Sequence, residues 1–343
     1  MPSTCAMACS SPCPRRCRAD GTSSHAKKSP TAEVPVALDS VTTATVTLER
    51  SRRQRRGQIY VALAAVAWST AGVLQRQLTL DTPTQVFGRA AFGGAAVLLY
   101  VAFVERGRVV QSFRSVGLAG VAVALCVATA SASFIAALNH TSVARVLFIL
   151  ALAPVLAALL ARVTLGEPIT RLTVVAMAVA LAGLTLMLGS PGEGSLAGDG
   201  LAFLATLAFA LCIVITRWRH DVSMAPATVL SQVILLAAFL PFASPGDIGG
   251  DDLGWLATLG IGQIGLGLVL FTVGARLIPA AQVGLITLLE VVLGPVWVWL
   301  ALDERPSTRT LVGGAIVIAA IVIQTSAAPS REPDGELPFS APH

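Results

Sequence analysis

The sequence predicts an all-α integral membrane protein with ten transmembrane helices, arranged as two inverted five-helix repeats. Three observations predict it. The composition is apolar and poor in charge. Apolar segments of membrane-spanning length follow one another along the chain. A weak internal repeat has an odd number of these segments in each copy.

Of 343 residues, 55% are hydrophobic and 13% are charged. Soluble domains carry about 25% charged residues. The mean hydropathy is +0.75. There are too few charges to build the polar surface that a soluble fold of this size needs. The net charge of +5 does not point to nucleic acid. Between residues 57 and 327 there are 13 Arg, no Lys and 12 acidic residues. The arginines stand singly or in pairs between apolar runs, not as a patch with base-reading neighbours. The expected partners are a small-molecule substrate and the lipid bilayer, with no nucleic acid; a homodimer is left open.

The apolar segments are 57–76, 83–104, 115–138, 143–162, 172–190, 200–217, 224–243, 253–274, 279–302 and 309–327. A helix needs roughly 20 mostly apolar residues to cross a bilayer. Four runs, 115–139, 172–192, 253–275 and 311–330, hold no formal charge. None alternates with period two, so helices and not a barrel satisfy the backbone in lipid.

Residues 1–56 are rich in Ser, Thr, Pro and Ala and read as a disordered basic cytoplasmic tail. They lack the apolar core of a signal peptide. Residues 328–343 read as a second cytoplasmic tail. Cys5, Cys9, Cys13 and Cys17 lack the loop that separates zinc-binding pairs, and Pro12 and Pro14 interrupt them. Cys126 and Cys212 fall inside apolar runs and read as small buried residues. No metal and no cofactor is expected.

With the N-terminus in the cytoplasm, the cytoplasmic segments hold 13 arginines, from Arg50–Arg56 to Arg276, and the other side holds 3. This satisfies the positive-inside rule with both ends in the cytoplasm. A plasma membrane location follows as the expectation.

The repeat is visible at two offsets. Residues 57–78 (GQIYVALAAVAWSTAGVLQRQL) align with 200–221 (GLAFLATLAFALCIVITRWRHD) at an offset of 143. At that offset Pro83 meets Pro226 and Arg89 meets Gln232. Further on, TLGEPITR at 164–171 aligns with ALDERPST at 301–308, an offset of 137, and Glu167 meets Glu304. The copies, 57–190 and 200–327, therefore enter the membrane from opposite sides. Inverted repeats are typical of secondary transporters, with substrate held near the midplane between the halves.

These segments resemble the drug/metabolite transporter superfamily, EamA type. The resemblance rests on Trp68 in AAVAWSTAG, on Arg89 in FGRAAFGGAAVLL and on AALNHTSVARVLFILALAPVLAALLARVTLGEPIT in the first copy. The second copy contributes GARLIPAAQVGLITLLEVVLGPVWVWLALDERPS. It covers about residues 57–327. It implies a ten-helix bundle that moves small metabolites or drugs, often outward, by alternating access. The chain departs from the family in one place. A Glu-Pro pair is common in the ninth span, whereas Glu290 is followed here by Val291, with Pro295 further on.

Charges inside apolar spans cost about 2.5–3.5 kcal/mol each on insertion scales and usually face the interior. Glu290 lies halfway along the ninth span. It reads either as a cavity carboxylate that binds a cation or carries a proton, or as an ion pair holding the ninth span to the second. Arg89 lies some seven residues into the second span. It reads as a ligand for a substrate anion, as the partner of Glu290, or as a side chain reaching the interface. Arg145, near the outer end of the fourth span, reads as a substrate-binding or coupling residue or as a side chain that snorkels to the interface, and Asn139 and His140 precede it, where they line the outer mouth. Trp68 reads as a cavity wall or as core. Gln75, Gln232, Gln263 and Gln282 are polar groups in apolar spans, suited first to bonds between helices and second to substrate, with Gln232 and Gln263 the candidates for substrate binding or coupling. Pro154 and Pro295 are the expected helix kinks.

No G-x-x-x-x-G-K-[ST], G-x-S-x-G or H-E-x-x-H motif is present. Neither ATP drive nor enzymatic hydrolysis is expected. The reading is a secondary active transporter, an exporter first, with proton coupling left open. A sugar-phosphate or nucleotide-sugar exchanger, and a non-transporting membrane scaffold or receptor, are the alternatives.

Overall fold

A computed structural model describes residues 35–75, 77–106, 108–141, 143–188, 195–303 and 305–326. Two compact units are present, Met1–Thr47 and Leu48–His343. The first falls outside the described residues except where α1 begins; the second holds the helices of interest.

Among the described residues the fold is entirely helical. The first half runs α1 (Pro35–Ser69), α2 (Ala71–Gln75), α3 (Thr82–Glu105), α4 (Val109–His140), α5 (Val143–Leu150), α6 (Ala153–Leu165) and α7 (Arg171–Leu188). The second runs α8 (Leu196–Trp218), α9 (Ala225–Phe239), α10 (Gly250–Ala257), a π-helical stretch Thr258–Gly265, α11 (Leu266–Ala275), α12 (Ala280–Thr287), α13 (Leu289–Leu302) and α14 (Thr308–Ser326). Each of the ten apolar segments in the sequence coincides with a helix or with consecutive helical pieces.

Eight of these helical segments are long and apolar enough to cross a membrane. Ala225–Phe239 is apolar but shorter. α1 ends at Ser69, where Ser69 Oγ and the following Thr70 Oγ1 donate to the carbonyls of Val66 and Ala67 at 2.7 Å each. The helix also starts upstream of the apolar run, at Pro35. Residues 36–56 contain neither Gly nor Pro, so no breaker separates them from the span.

Exposure follows a lipid-facing logic. Leu99, Phe103, Leu118, Val163 and Leu300 lie on the outside of the bundle, each more than two-thirds exposed. The interior is built instead on small residues that let backbones approach, because lipid is as apolar as leucine and supplies no hydrophobic drive between helices. A Cβ on Gly183 would lie 2.9 Å from the Gly313 carbonyl, which brings α7 against α14. At the other end of that contact, Gln324 Nε2 donates to Thr173 Oγ1 at 2.9 Å. The pairs 173 with 324 and 183 with 313 make α7 and α14 antiparallel.

α3 and α9 are antiparallel too. Ala90 clusters with Leu235, Gly94 lies against Gln232, and Val97 and Val101 pack with Ala225 and Val229. A third antiparallel pair joins α1 to α11. Gly57 meets Ile278 and Leu277, Val61 meets Gly274, and Trp68 meets Gly267. α4 bends at Gly117, whose φ of +52° only glycine adopts without strain.

Candidate functional site

Besides the short gap between α1 and α2 at Thr70, two equivalent spans are interrupted, one in each half. α5 stops at Leu150 and α6 begins at Ala153. α12 stops at Thr287 and α13 begins at Leu289. Ala151 and Leu288 are 137 residues apart, the offset that also aligns TLGEPITR with ALDERPST. In the first break Pro154, in the opening turn of α6, supplies no N–H, and the Leu152 N–H turns back to the Ile149 carbonyl at 3.0 Å. The second break has no proline at its equivalent position, Val291. Its backbone tightens instead. The N–H groups of Leu288 and Val291 reach the carbonyls of Leu285 and Leu288 at 3.2 and 3.1 Å, an i to i−3 pattern. Pro295 lies inside α13, which continues through it, so the interruption of the ninth span sits at Leu288 and not at the proline.

The two interrupted helices touch close to their breaks. A Cβ on Gly284 of α12 would lie 2.6 Å from Pro154 Cα. No residue larger than glycine fits there without displacing one of the two backbones.

Glu290 is the second residue of α13 and lies in its first turn. The positive end of the half-helix dipole favours an anion at this position. Glu290 is ten residues beyond Ala280, where this span begins, or about 15 Å along the helix axis. It is partly exposed, and among the described residues it has neither a hydrogen bond nor an ion pair. Gly294 and Trp297 share its helical face. Trp297 Nε1 donates to Ser69 Oγ of α1 at 2.8 Å, so this face looks toward α1. A Cβ on Gly294 would meet nothing within 4 Å, so open space lies between the carboxylate and the tryptophan.

Trp68 lies eleven residues beyond Gly57, at a similar depth. It is 8% exposed. Its ring centroid is 5.2 Å from Phe271 of α11 and 6.2 Å from Phe209 of α8, and those two rings are 5.5 Å apart. The indole rests on Gly267, where no Cβ intervenes. Trp68 and Phe271 belong to the buried core, and Phe209 packs against it.

Gln263 occupies the π-helical stretch, a form that recurs at functional positions. It is 5% exposed, and its Oε1 has no hydrogen-bond partner among the described residues. Such a buried, unmet acceptor costs about 1–3 kcal/mol. Gly260, one turn before it, packs on the Arg89 carbonyl and Phe92, and Gly267, one turn after it, packs on Trp68. Gln263 is therefore on the face of this helix that looks toward α1 and α3. Gln232 is more fully enclosed, at 3% exposed, with Nε2 donating to Ser231 Oγ at 3.1 Å. Gln282 accepts from Gln54 and Gln58 of α1 at 3.4 Å each.

Arg89 is partly exposed, eight residues into α3. Among the described residues it pairs with no carboxylate, so the Arg89–Glu290 pair left open by the sequence is not formed. Arg145 is bound differently from either reading of it. Its Nε and Nη2 each donate to one oxygen of Asp199 at 2.6 Å, tying α5 to the start of α8. Next to that tie, Ser195 caps α8 by accepting the Gly198 N–H at 3.0 Å, and its hydroxyl donates to the His140 carbonyl at 2.9 Å. His140 is exposed. The side chains of Asn139 and Gln75 lie outside the described residues.

The opposite end of α8 carries a second charged tie. Glu167 accepts from Arg217 Nε at 2.8 Å and from the Ala280 N–H, at the start of α12, at 3.1 Å. Arg217 Nη1 also donates to the Arg276 carbonyl at 3.1 Å. Gly166, in the left-handed region at φ +68°, turns the chain so that Glu167 faces α8 and α12. Asp199 and Arg217 are 18 residues apart, about 27 Å along α8. That is close to the thickness of the hydrocarbon core. Both ties join the first half of the chain to the second. Sequence singled out Arg145 and Glu167 but not their partners, because ion pairs 54 and 50 residues apart leave no local signature.

Comparison with known proteins fits this geometry. The EamA-like transporter family matches residues 55–189 and, a second time, residues 196–326. A protein of Archaeoglobus fulgidus described as an uncharacterized transporter is 29% identical over 281 residues, covering 79% of this chain and 97% of that one. A protein of known crystal structure superposes with a TM-score of 0.69 at 19% identity, over 79% of this chain and 97% of its own. That likeness concerns the fold alone.

Proposed function

The chain belongs to the EamA-like transporter family, and on that premise we propose that this membrane transporter is a secondary active carrier that exports small amphiphilic metabolites or drugs. It crosses the plasma membrane ten times, as two five-helix repeats of opposite orientation, with both ends in the cytoplasm. The antiparallel packing of α3 on α9 and of α7 on α14 supports the inversion, since each pair joins equivalent helices of the two repeats. The distribution of arginines supports the orientation.

One observation carries the mechanism. Glu290 sits at the break of a discontinuous helix, at mid-depth, partly exposed and without an ion-pair partner among the described residues. Discontinuous helices at the repeat interface are where secondary transporters bind substrate and coupling ion. The carboxylate accepts either a proton or the ammonium group of a substrate. Both compete for the same oxygens, so arrival of one releases the other, which couples their movements in opposite directions. Trp68, backed by Phe209 and Phe271, takes the apolar part of the substrate, and Gln263 Oε1 accepts a hydrogen bond from it. Arg89 holds an anionic group where the substrate has one. Arg145, tied to Asp199, leaves Arg89 as the arginine available to the pocket, which weighs against a polyanionic sugar-phosphate cargo.

The test is uphill transport of cationic and zwitterionic amphiphiles into proteoliposomes driven by a pH gradient. The wild-type protein accumulates substrate and Glu290→Gln does not. A Glu290→Gln variant that transports with unchanged pH dependence removes the carboxylate from the mechanism.

A further inference from the structure

The middle of α1, just before its apolar run, carries four exposed arginines, and their direction is set by contacts on the other side of the helix. Gln54 and Gln58 both donate to Gln282 of α12, and Gln58 also donates to the Thr325 carbonyl of α14 at 3.2 Å. Gly57 is wedged against Ile278 and Leu277, with a hypothetical Cβ at 2.7 and 2.8 Å, and Val61 is fully buried. Residues 54, 57, 58 and 61 thus form the inward face. At about 100° per residue, Arg52 and Arg56 point directly away from it, and Arg53 and Arg55 flank them. All four are exposed, and among the described residues none has an ion-pair partner.

The same outward stripe continues Arg52, Arg56, Ile59, Leu63, at helical steps of four, three and four. Ile59 is 56% exposed and Leu63 is 48% exposed, on the side of the helix that faces lipid. The stripe therefore passes from charge to hydrocarbon within one turn. Its height is that of a membrane boundary, since Thr325 is the next-to-last residue of α14 and Gln282 the third of α12. The arginines thus lie beside the membrane and project sideways from the bundle.

We propose that Arg52, Arg53, Arg55 and Arg56 form a docking surface for anionic phospholipid headgroups of the leaflet at this face. Guanidinium groups bind phosphate oxygens in a bidentate way. Basic clusters immediately outside a membrane helix attract anionic lipid. The chemistry of the stripe selects a lipid over a soluble polyanion, because Ile59 and Leu63 need an acyl chain beside the bound phosphate. Lipid held here braces the middle of α1, the helix that carries Trp68 and Ser69 toward the proposed site.

The full-length protein is reconstituted in phosphatidylcholine vesicles containing spin-labelled phosphatidylglycerol or spin-labelled phosphatidylcholine, and the motionally restricted fraction of each label is measured. The wild-type protein is expected to prefer phosphatidylglycerol. Replacing all four arginines with Gln lowers that preference several-fold, while replacing all four with Lys keeps most of it. An unchanged preference in the Gln variant overturns the proposal. In the unmodified protein, a photoactivatable phosphatidylglycerol is expected to label residues 48–63; labelling elsewhere alone overturns the proposal even if the Gln variant fails to fold. Loss of that labelling on addition of a single-stranded oligonucleotide, with no loss on addition of inorganic phosphate, assigns the surface to a soluble polyanion and also overturns it.

Discussion

At the break between α5 and α6 the chain carries Ala153 and Pro154, both buried; at the corresponding break between α12 and α13 it carries Glu290 and Val291, with the carboxylate partly exposed beside open space. The backbone interruption is common to both repeats, and the side chains on it are not. Pro154 serves packing, where it lies against Gly284. Glu290, in the function proposed, serves chemistry. The second helices of the repeats differ in the same way, with Arg89 in one and the enclosed Gln232 in the other. A duplicated fold needs only one charge of each kind, so each copy is free to specialise.

The most severe way to break this comparison is to remove the charge from one break. Glu290→Gln is expected to lower pH-driven accumulation about 100-fold, the effect of leaving a buried charged group of the substrate unpaired. Pro154→Ala, at the other break, is expected to leave it within about threefold, because Pro154 is a packing residue and small volume changes are tolerated. Both are read in proteoliposome uptake. Moving the carboxylate sharpens the point. Ala153→Glu added to Glu290→Gln does not restore accumulation, because Ala153 is 4% exposed and faces packed protein.

Arg89→Gln is expected to raise KM about tenfold or more for zwitterionic substrates, with little change for purely cationic ones, as expected for loss of one charged hydrogen bond. A smaller effect falls on stability. Gly284→Leu forces α12 off Pro154 and costs about 2–3 kcal/mol, the scale of overpacking in a tight contact. Thermal unfolding in detergent measures it. Gly294→Ala, with nothing within 4 Å of its Cβ, leaves the unfolding temperature unchanged. Between these two falls Trp297→Phe. It removes the donor to Ser69 and costs about 1 kcal/mol.

Much of the fold was legible in residue order. The ten apolar segments, the two offsets and the alignment of Arg89 with Gln232 all come from local patterns that survive without coordinates. Glu290 stood out because a carboxylate halfway along an apolar run is costly anywhere in lipid. Three things were not legible. The break at Leu288 has no proline at its own position to announce it, and Pro295 misdirected attention by seven residues. The helical reach of α1 back to Pro35 was hidden by a polar composition. The pairing of Arg145 with Asp199 joins residues from two different spans.

By itself the sequence determined which stretches are apolar enough to leave water, that they come in two related sets, and which few charges fall inside them. Transfer from water to lipid depends on the composition of a single segment, so no knowledge of neighbours is required. Only the tertiary structure decided that Arg89 and Glu290 stay apart, that the two broken helices meet at Pro154 and Gly284, and that α8 is tied at both ends. In lipid those choices rest on close packing of small residues and on polar contacts between helices, and both depend on how each helix is turned about its axis.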